Sequence, residues 1–238
     1  MAIFAMADLH LAISNPEKSM EVFGKNWGDY IPRIKESFDA KVKPEDTVLM
    51  PGDLSWATYL NEAKEDFSFI DSLPGHKLIC RGNHDYWWTT IKKMEKTFEE
   101  MGVTTISIIR HNSVEVEGHL ITGTRGWKLP TDDSFSAEDR KIYDREKIRI
   151  GLCVDALKKE DPEHAKKWLL MLHYPPLNSL NRETELSKII EESGVDICIY
   201  GHLHGRAHKR AFEGEQNGTL YRCVAADYLG FEPVEISE

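Results

Sequence analysis

Short apolar runs alternate along this chain with stretches of helical spacing, and that alternation limits the fold more than any other feature. The runs at 3–7, 47–50, 77–80, 168–172 and 195–200 are rich in Ile, Leu and Val. Strands covered on both faces read this way. Between them, Trp27, Ile31, Ile34 and Phe38 recur at helical spacing, as do Leu60, Ala63, Phe67 and Ile70. Ile91, Met94, Phe98 and Met101 repeat the pattern, followed by Leu186, Ile189, Ile190 and Ser193. Strands alternating with amphipathic helices predict a layered α/β domain.

Two regions depart from the alternation. Residues 104–124 alternate around Glu117-Gly118, and residues 208–224 turn at Asn217-Gly218. The second is a strong hairpin signal, and both regions predict antiparallel strands forming a second sheet. Residues 128–166 are charge-rich, with Ser136-x-x-Asp139 as a capping start and Ile148 and Leu152 four apart. This predicts a helical insertion, either a cover over a site or a solvated face. No repeat or Gly/Ser/Pro-rich linker divides the chain, so one domain over 1–238 is expected.

A formal charge of −10 disfavours extended nucleic-acid binding, which tracks phosphates with basic surface. It leaves room for a small phosphorylated partner. No window has the eighteen or so apolar residues of a membrane span, and the first residues lack a basic n-region. A mature cytoplasmic protein is the expectation. Cys80, Cys153, Cys198 and Cys223 form no C-x-x-C pair. They read as buried structural thiols in a reducing compartment.

Each apolar run delivers polar residues at its end: Asp8-x-His10, Gly52-Asp53, Gly82-Asn83-His84-Asp85, His173 and Gly201-His202-x-His204. In open α/β sheets ligands gather beyond the carboxyl ends of strands. Asp8, His10, Asp53, Asn83, His173, His202 and His204 therefore form a donor set able to serve two metal ions. Asp53 is the natural bridge, because a carboxylate has two oxygens and Gly52 permits a sharp turn before it. His202 and His204, two apart, are expected to share one side of an extended segment, as are Asp8 and His10. Taken singly these motifs are weak: Gly52-Asp53 is a common turn, and Gly82-Asn83-His84-Asp85 doubles as an Asx turn. In order, after five strands, they describe a metal site. His76, His111, His119, His164 and His208 lack such context and read as surface or core.

The ordered set resembles the signature of the calcineurin-like metallophosphoesterase superfamily, D-x-H, G-D, G-N-H-D/E, H and G-H-x-H, from Asp8 to His204. That resemblance implies a four-layer αββα sandwich with two central mixed sheets and a two-metal centre. It implies that Asp8, His10, Asp53 and His204 hold one ion, and Asp53, Asn83, His173 and His202 the other. His84 is then the catalytic histidine.

Two dications against Asp8 and Asp53 leave about two uncompensated positive charges. Such a centre binds phosphate oxygens and acidifies a bridging water toward a pKa of roughly 7, generating a nucleophile for phosphorus. His84 is expected to protonate the leaving oxygen or steady its charge. Asp85 either orients His84 or caps the next helix. Nitrogen and oxygen donors suit manganese, iron or zinc, as divalent or mixed-valence ions. Trp56, Tyr86, Trp87 and Trp88 are either an aromatic wall for a planar leaving group or core packing. Arg81, Arg125 and Arg206 are either phosphate clamps or surface ion-pair partners, Arg206 being the best placed because it follows His204 closely.

The expected function is hydrolysis of phosphomonoesters or phosphodiesters. A protein phosphatase competes with that reading, although Gly52-Asp53-Leu54-Ser55-Trp56 lacks that class's G-D-x-x-D-R-G form. A nuclease, a catalytically weak metal scaffold and a one-metal hydrolase of amides or esters compete with it as well.

Overall fold

The computed structural model describes residues 1–15, 17–18 and 20–236. In chain order the strands are β1 (Ile3–Ala5), β2 (Thr47–Pro51), β3 (His76–Cys80), β4 (Ile106–Ile108), β5 (Val114–Val116), β6 (His119–Thr124), β7 (Lys167–Leu172), β8 (Ile197–Tyr200), β9 (Gly214–Gln216), β10 (Thr219–Cys223) and β11 (Val234–Glu235). The helices are α1 (Tyr30–Lys41), α2 (Lys64–Ser72), α3 (Ile91–Met101), α4 (Ala137–Glu160) and α5 (Glu185–Glu192).

Two mixed sheets form. The first runs β11-β1-β2-β3-β4 and the second β5-β6-β7-β8-β10-β9. Strands β1 to β4 are mutually parallel, with β11 antiparallel at the edge. In the second sheet β6, β7, β8 and β10 are parallel, and β5 and β9 pair antiparallel at its edges.

Strand period two sorts the apolar runs into three cores. Ile3, Leu49, Leu78, Leu169 and Ile199 meet between the sheets. Their neighbours Phe4, Val48, Met50 and Ile79 pack under Ile34, Phe38, Phe67 and Phe98 of α1, α2 and α3. Leu120, Trp168, Leu170 and Tyr200 pack under α4 and α5 through Tyr143, Ile150, Leu157 and Ile190. The result is helices, sheet, sheet, helices: the expected αββα sandwich.

Three expectations need correction. Glu117-Gly118 and Asn217-Gly218 do turn hairpins, with positive φ at both residues of each pair. Those hairpins supply only the edges of the second sheet, whose parallel centre includes the strands before His173 and His202, and β4 joins the first sheet. Ile148 and Leu152, four apart, do not mark the buried face of α4; they are 66% and 47% exposed. Within 128–166 only Ala137–Glu160 form the helix, and α4 is itself a layer rather than an insertion, starting at a capping box between Ser136 and Asp139, while Lys128, Leu129, Thr131 and Asp132 line a cavity beside His202. The apolar period is hidden because Glu146, fully buried, occupies the inward stripe between Tyr143 and Ile150.

Candidate metal centre

The carboxyl ends of both sheets are tied together where the motifs lie. Ala7 bridges Ala225 in parallel, through Ala7 N–H to Val224 O at 2.7 Å and Ala226 N–H to Ala7 O at 3.0 Å. The loops then run in register: Asp8 N–H donates to Gly52 O, His10 N–H to Asp53 O and Gly201 N–H to His173 O, at 2.9, 2.9 and 3.1 Å. Residues far apart in sequence converge by backbone pairing.

Asp8, His10, Asp53 and His202 have φ values of 60°, 44°, 54° and 70°. The left-handed region costs an L-residue on the order of 1 kcal/mol or more, and persists where surroundings over-determine it. It corrects the extended-segment expectation: the bend at His202 sends the two imidazoles of the last motif to different partners. Two glycines make room. A Cβ on Gly82 would overlap the Asp53 carboxylate and backbone, and one on Gly201 would overlap Asp8 Oδ2.

Two donor clusters result. Asp8, His10 and His204 form one, and Asp53, His173 and His202 the other, each with its ligand atoms within 4.8 Å of one another. His10 Nε2 and His204 Nε2 are 3.1 Å apart, and His204 Nε2 lies 3.4 Å from Asp8 Oδ1. Asp53 Oδ2 is 3.4 Å from His173 Nε2 and 3.7 Å from His10 Nε2, so it faces both clusters. Asn83 Oδ1 sits 2.7 Å from His173 Nε2. Asp8 Oδ1 and Asp53 Oδ2 are buried carboxylate oxygens with no hydrogen-bond partner among the described residues. Buried anions are costly unless paired or bound to a metal, so these orphaned oxygens and the nitrogen-oxygen donor mix fit divalent cations.

Electrostatics agree. Burial, reinforced by Asp85 and Asp8, raises Asp53 well above the usual carboxylate range. Burial and neighbouring histidines hold His10 and His173 well below the ordinary imidazole value, and push His202 down to about 3. Neutral imidazoles are what a metal takes. His204 is the exception: burial opposes its charge, yet Asp227 and Asp8 lift it to about 10.

Asp227 lies outside every motif. Its Oδ1 accepts from His204 Nδ1 at 2.8 Å and its Oδ2 from Gly205 N–H at 3.1 Å. His208 Nε2 lies 3.1 Å from Oδ2, though poorly aligned, so His208 also belongs to the surroundings of the site. A carboxylate behind a ligating histidine fixes its tautomer and orientation. His173 Nδ1 has Pro51 O in the same position at 3.1 Å.

His84 N–H donates to Asp53 Oδ1 at 2.7 Å, placing its half-buried ring over the centre, 5.6 Å from the His10 ring. Its Nδ1 is buried and unpartnered among the described residues, and burial, then His204, lower its pKa. The hydrogen bonds of Asp85 go elsewhere than the His84 ring, and α3 is capped by Thr90 instead. The fully buried Asp85 carboxylate accepts from the N–H groups of Gly82, Asp53 and Leu54 at 2.7 to 2.9 Å and from Trp87 Nε1 at 3.0 Å. It clamps two motif loops together.

The aromatics divide. Trp56 stacks on His10 and packs against His84, with centroids 5.1 and 4.4 Å away. Phe23 lies 5.4 Å from the His204 ring, and exposed Tyr86 lies 6.0 Å from His84. Trp87 is core, edge-on to Phe67, and cannot meet a substrate. Arg125 turns to Glu146 and the Trp127 ring, and Arg206 is exposed on the 205–210 turn. Neither joins the metal donors.

The calcineurin-like phosphoesterase family model matches residues 1–206. The chain belongs to the calcineurin-like phosphoesterase family. A hydrolase acting on phosphoester bonds is the class that membership supports. The match ends before Asp227. A search of curated proteins gives no match. Among solved structures, a protein of unknown function, AQ665 from Aquifex aeolicus, is 17% identical with a TM-score of 0.50, covering 98% of this chain and 95% of that one. Phosphopantetheinyl hydrolase from Mycobacterium tuberculosis is 15% identical with a TM-score of 0.53, covering 94% and 88%. TT1561 of Thermus thermophilus is 11% identical with a TM-score of 0.52, covering 99% and 97%. These likenesses concern the fold. Among the described residues, no helix is long and apolar enough to cross a membrane.

Proposed function

We propose that this protein is a two-metal phosphohydrolase that cleaves phosphomonoester or phosphodiester bonds of a small phosphorylated substrate. The observation that carries this reading is the placement of Asp53 Oδ2, buried and unpartnered, facing both donor clusters. Asp8, His10 and His204 would hold one ion and His173, His202 and Asn83 the other, with Asp53 shared. Divalent manganese, iron or zinc would supply Lewis acidity toward a phosphoryl oxygen and make water nucleophilic near neutral pH.

The protein's own residues do the rest. Asp227 holds His204 in the orientation that presents Nε2 inward. The amides gathered by Asp85 fix Asp53 and His84 relative to each other. His84, neutral because its burial opposes charge, offers a ring N–H to the leaving oxygen. Trp56 gives the leaving group an aromatic face, and it also lines a cavity of about 640 Å³.

The test is turnover of an aryl phosphate monoester and diester with added manganese. Turnover should fall by roughly 10²–10⁴-fold in His84→Ala while two metal ions remain bound. Absence of turnover with both esters and every metal tried, or an undiminished His84→Ala, contradicts the proposal.

A further inference from the structure

Beside the 81–90 loop, a cavity of about 370 Å³ is lined by Arg81, Arg110, Arg125 and Arg149. Four guanidinium groups converging in a chain of net charge −10 need a reason. Like charges repel, and partial burial removes the water that would screen them. The carboxylates that act on Arg81 and Arg125 are Glu146 and Asp85. Glu146 Oε1 pairs with Arg149 and Arg125, at 2.5 and 3.8 Å, while its Oε2 accepts from Thr124 Oγ1 and Gly126 N–H. Asp85 is already committed to backbone amides. Arg81 Nε and Arg125 Nε remain buried with no hydrogen-bond partner among the described residues. Thr89 and Thr90, at the positive end of α3, line the same cavity.

We infer that this cavity is a phosphoryl-binding subsite, separate from the two donor clusters. A phosphoryl group presents several anionic oxygens, which planar guanidinium forks take in pairs. It would satisfy the orphaned Nε–H groups and offset the repulsion that Glu146 alone leaves. The loop between Arg81 and Thr90 also carries Asn83 and His84, and Arg125 O accepts from His173 N–H at 3.0 Å, so the subsite borders the proposed reaction centre. The phosphoryl group can be a second one on the substrate or free phosphate. The first source rests on the phosphohydrolase reading above; the subsite itself does not.

The experiment is calorimetric titration of the full chain with inorganic phosphate, with manganese and again after chelation, folding being checked by near-ultraviolet circular dichroism. Chelation removes any binding through metal. The subsite predicts a chelation-resistant component that Arg149→Gln and Arg81→Gln each weaken at least about tenfold, the scale of one lost charged hydrogen bond pair. Arg149→Gln, at a partly exposed helix position, guards against the Arg81 variant simply misfolding. If that component is absent, or the same in both variants, the subsite is wrong whatever the metals do. The source follows from KM values for an aryl monophosphate and a nucleoside 3′,5′-bisphosphate. A rise in Arg149→Gln confined to the bisphosphate assigns the subsite to substrate. Lost phosphate binding with no such rise assigns it to free phosphate.

Discussion

Replacing Asp85 by Asn separates a structural clamp from a catalytic partner. The carboxylate is fully buried and takes four hydrogen bonds of 3.0 Å or less, two on each oxygen. An asparagine amide keeps the shape but turns one oxygen into a donor, so two N–H groups lose their acceptor. Hydrogen bonds to charged groups contribute about 1.5–3 kcal/mol each, so Asp85→Asn should cost about 3–6 kcal/mol. That is a large part of the roughly 5–15 kcal/mol that holds a domain folded. Urea denaturation of the metal-free chain measures it, as a fall in midpoint at unchanged slope. Stability within about 1 kcal/mol of wild type, together with loss of turnover, refutes the clamp and restores Asp85 as a partner of His84.

Further consequences follow from the same geometry. Asp227→Asn should weaken metal binding by roughly 10–100-fold, the range for losing a carboxylate behind a ligating histidine, as read by competition with a chelator. In the metal-free chain, His204 is raised above its unfolded value to about 10. Its stabilisation is therefore present below about pH 6.5 and lost as pH rises through about 10, and Asp227→Asn should flatten that dependence in denaturation midpoints. Gly201→Ala drives a methyl group into Asp8 Oδ2 and to 2.8 Å from Ala7 Cβ. It should lower bound metal to one ion or fewer per chain by elemental analysis; full occupancy would show that the loop yields freely. Asp53→Asn should harm both metal positions, and two tightly held ions in that variant would exclude a shared carboxylate.

The donor set is legible in the sequence because each donor directly follows a strand buried on both faces, and strand ends converge. What the sequence hides is tertiary. Asp227 reaches His204 only because Ala7 pairs with Ala225 across the two sheets, and nothing in Ala225-Ala226-Asp227 has motif spacing. Trp56 and Trp87 both trail a motif; only the packing of Trp87 on Phe67 sends one to the core and leaves the other beside His84. The inward face of α4 is obscured because Glu146 interrupts its apolar stripe, and that carboxylate pairs with Arg149 and Arg125.

The most direct test is an anomalous diffraction map of crystals grown with manganese. Two peaks are expected, one among Asp8, His10 and His204 and the other among Asp53, His173 and His202, with Asp53 reaching both. A single peak, or none among these side chains, contradicts the two-metal account.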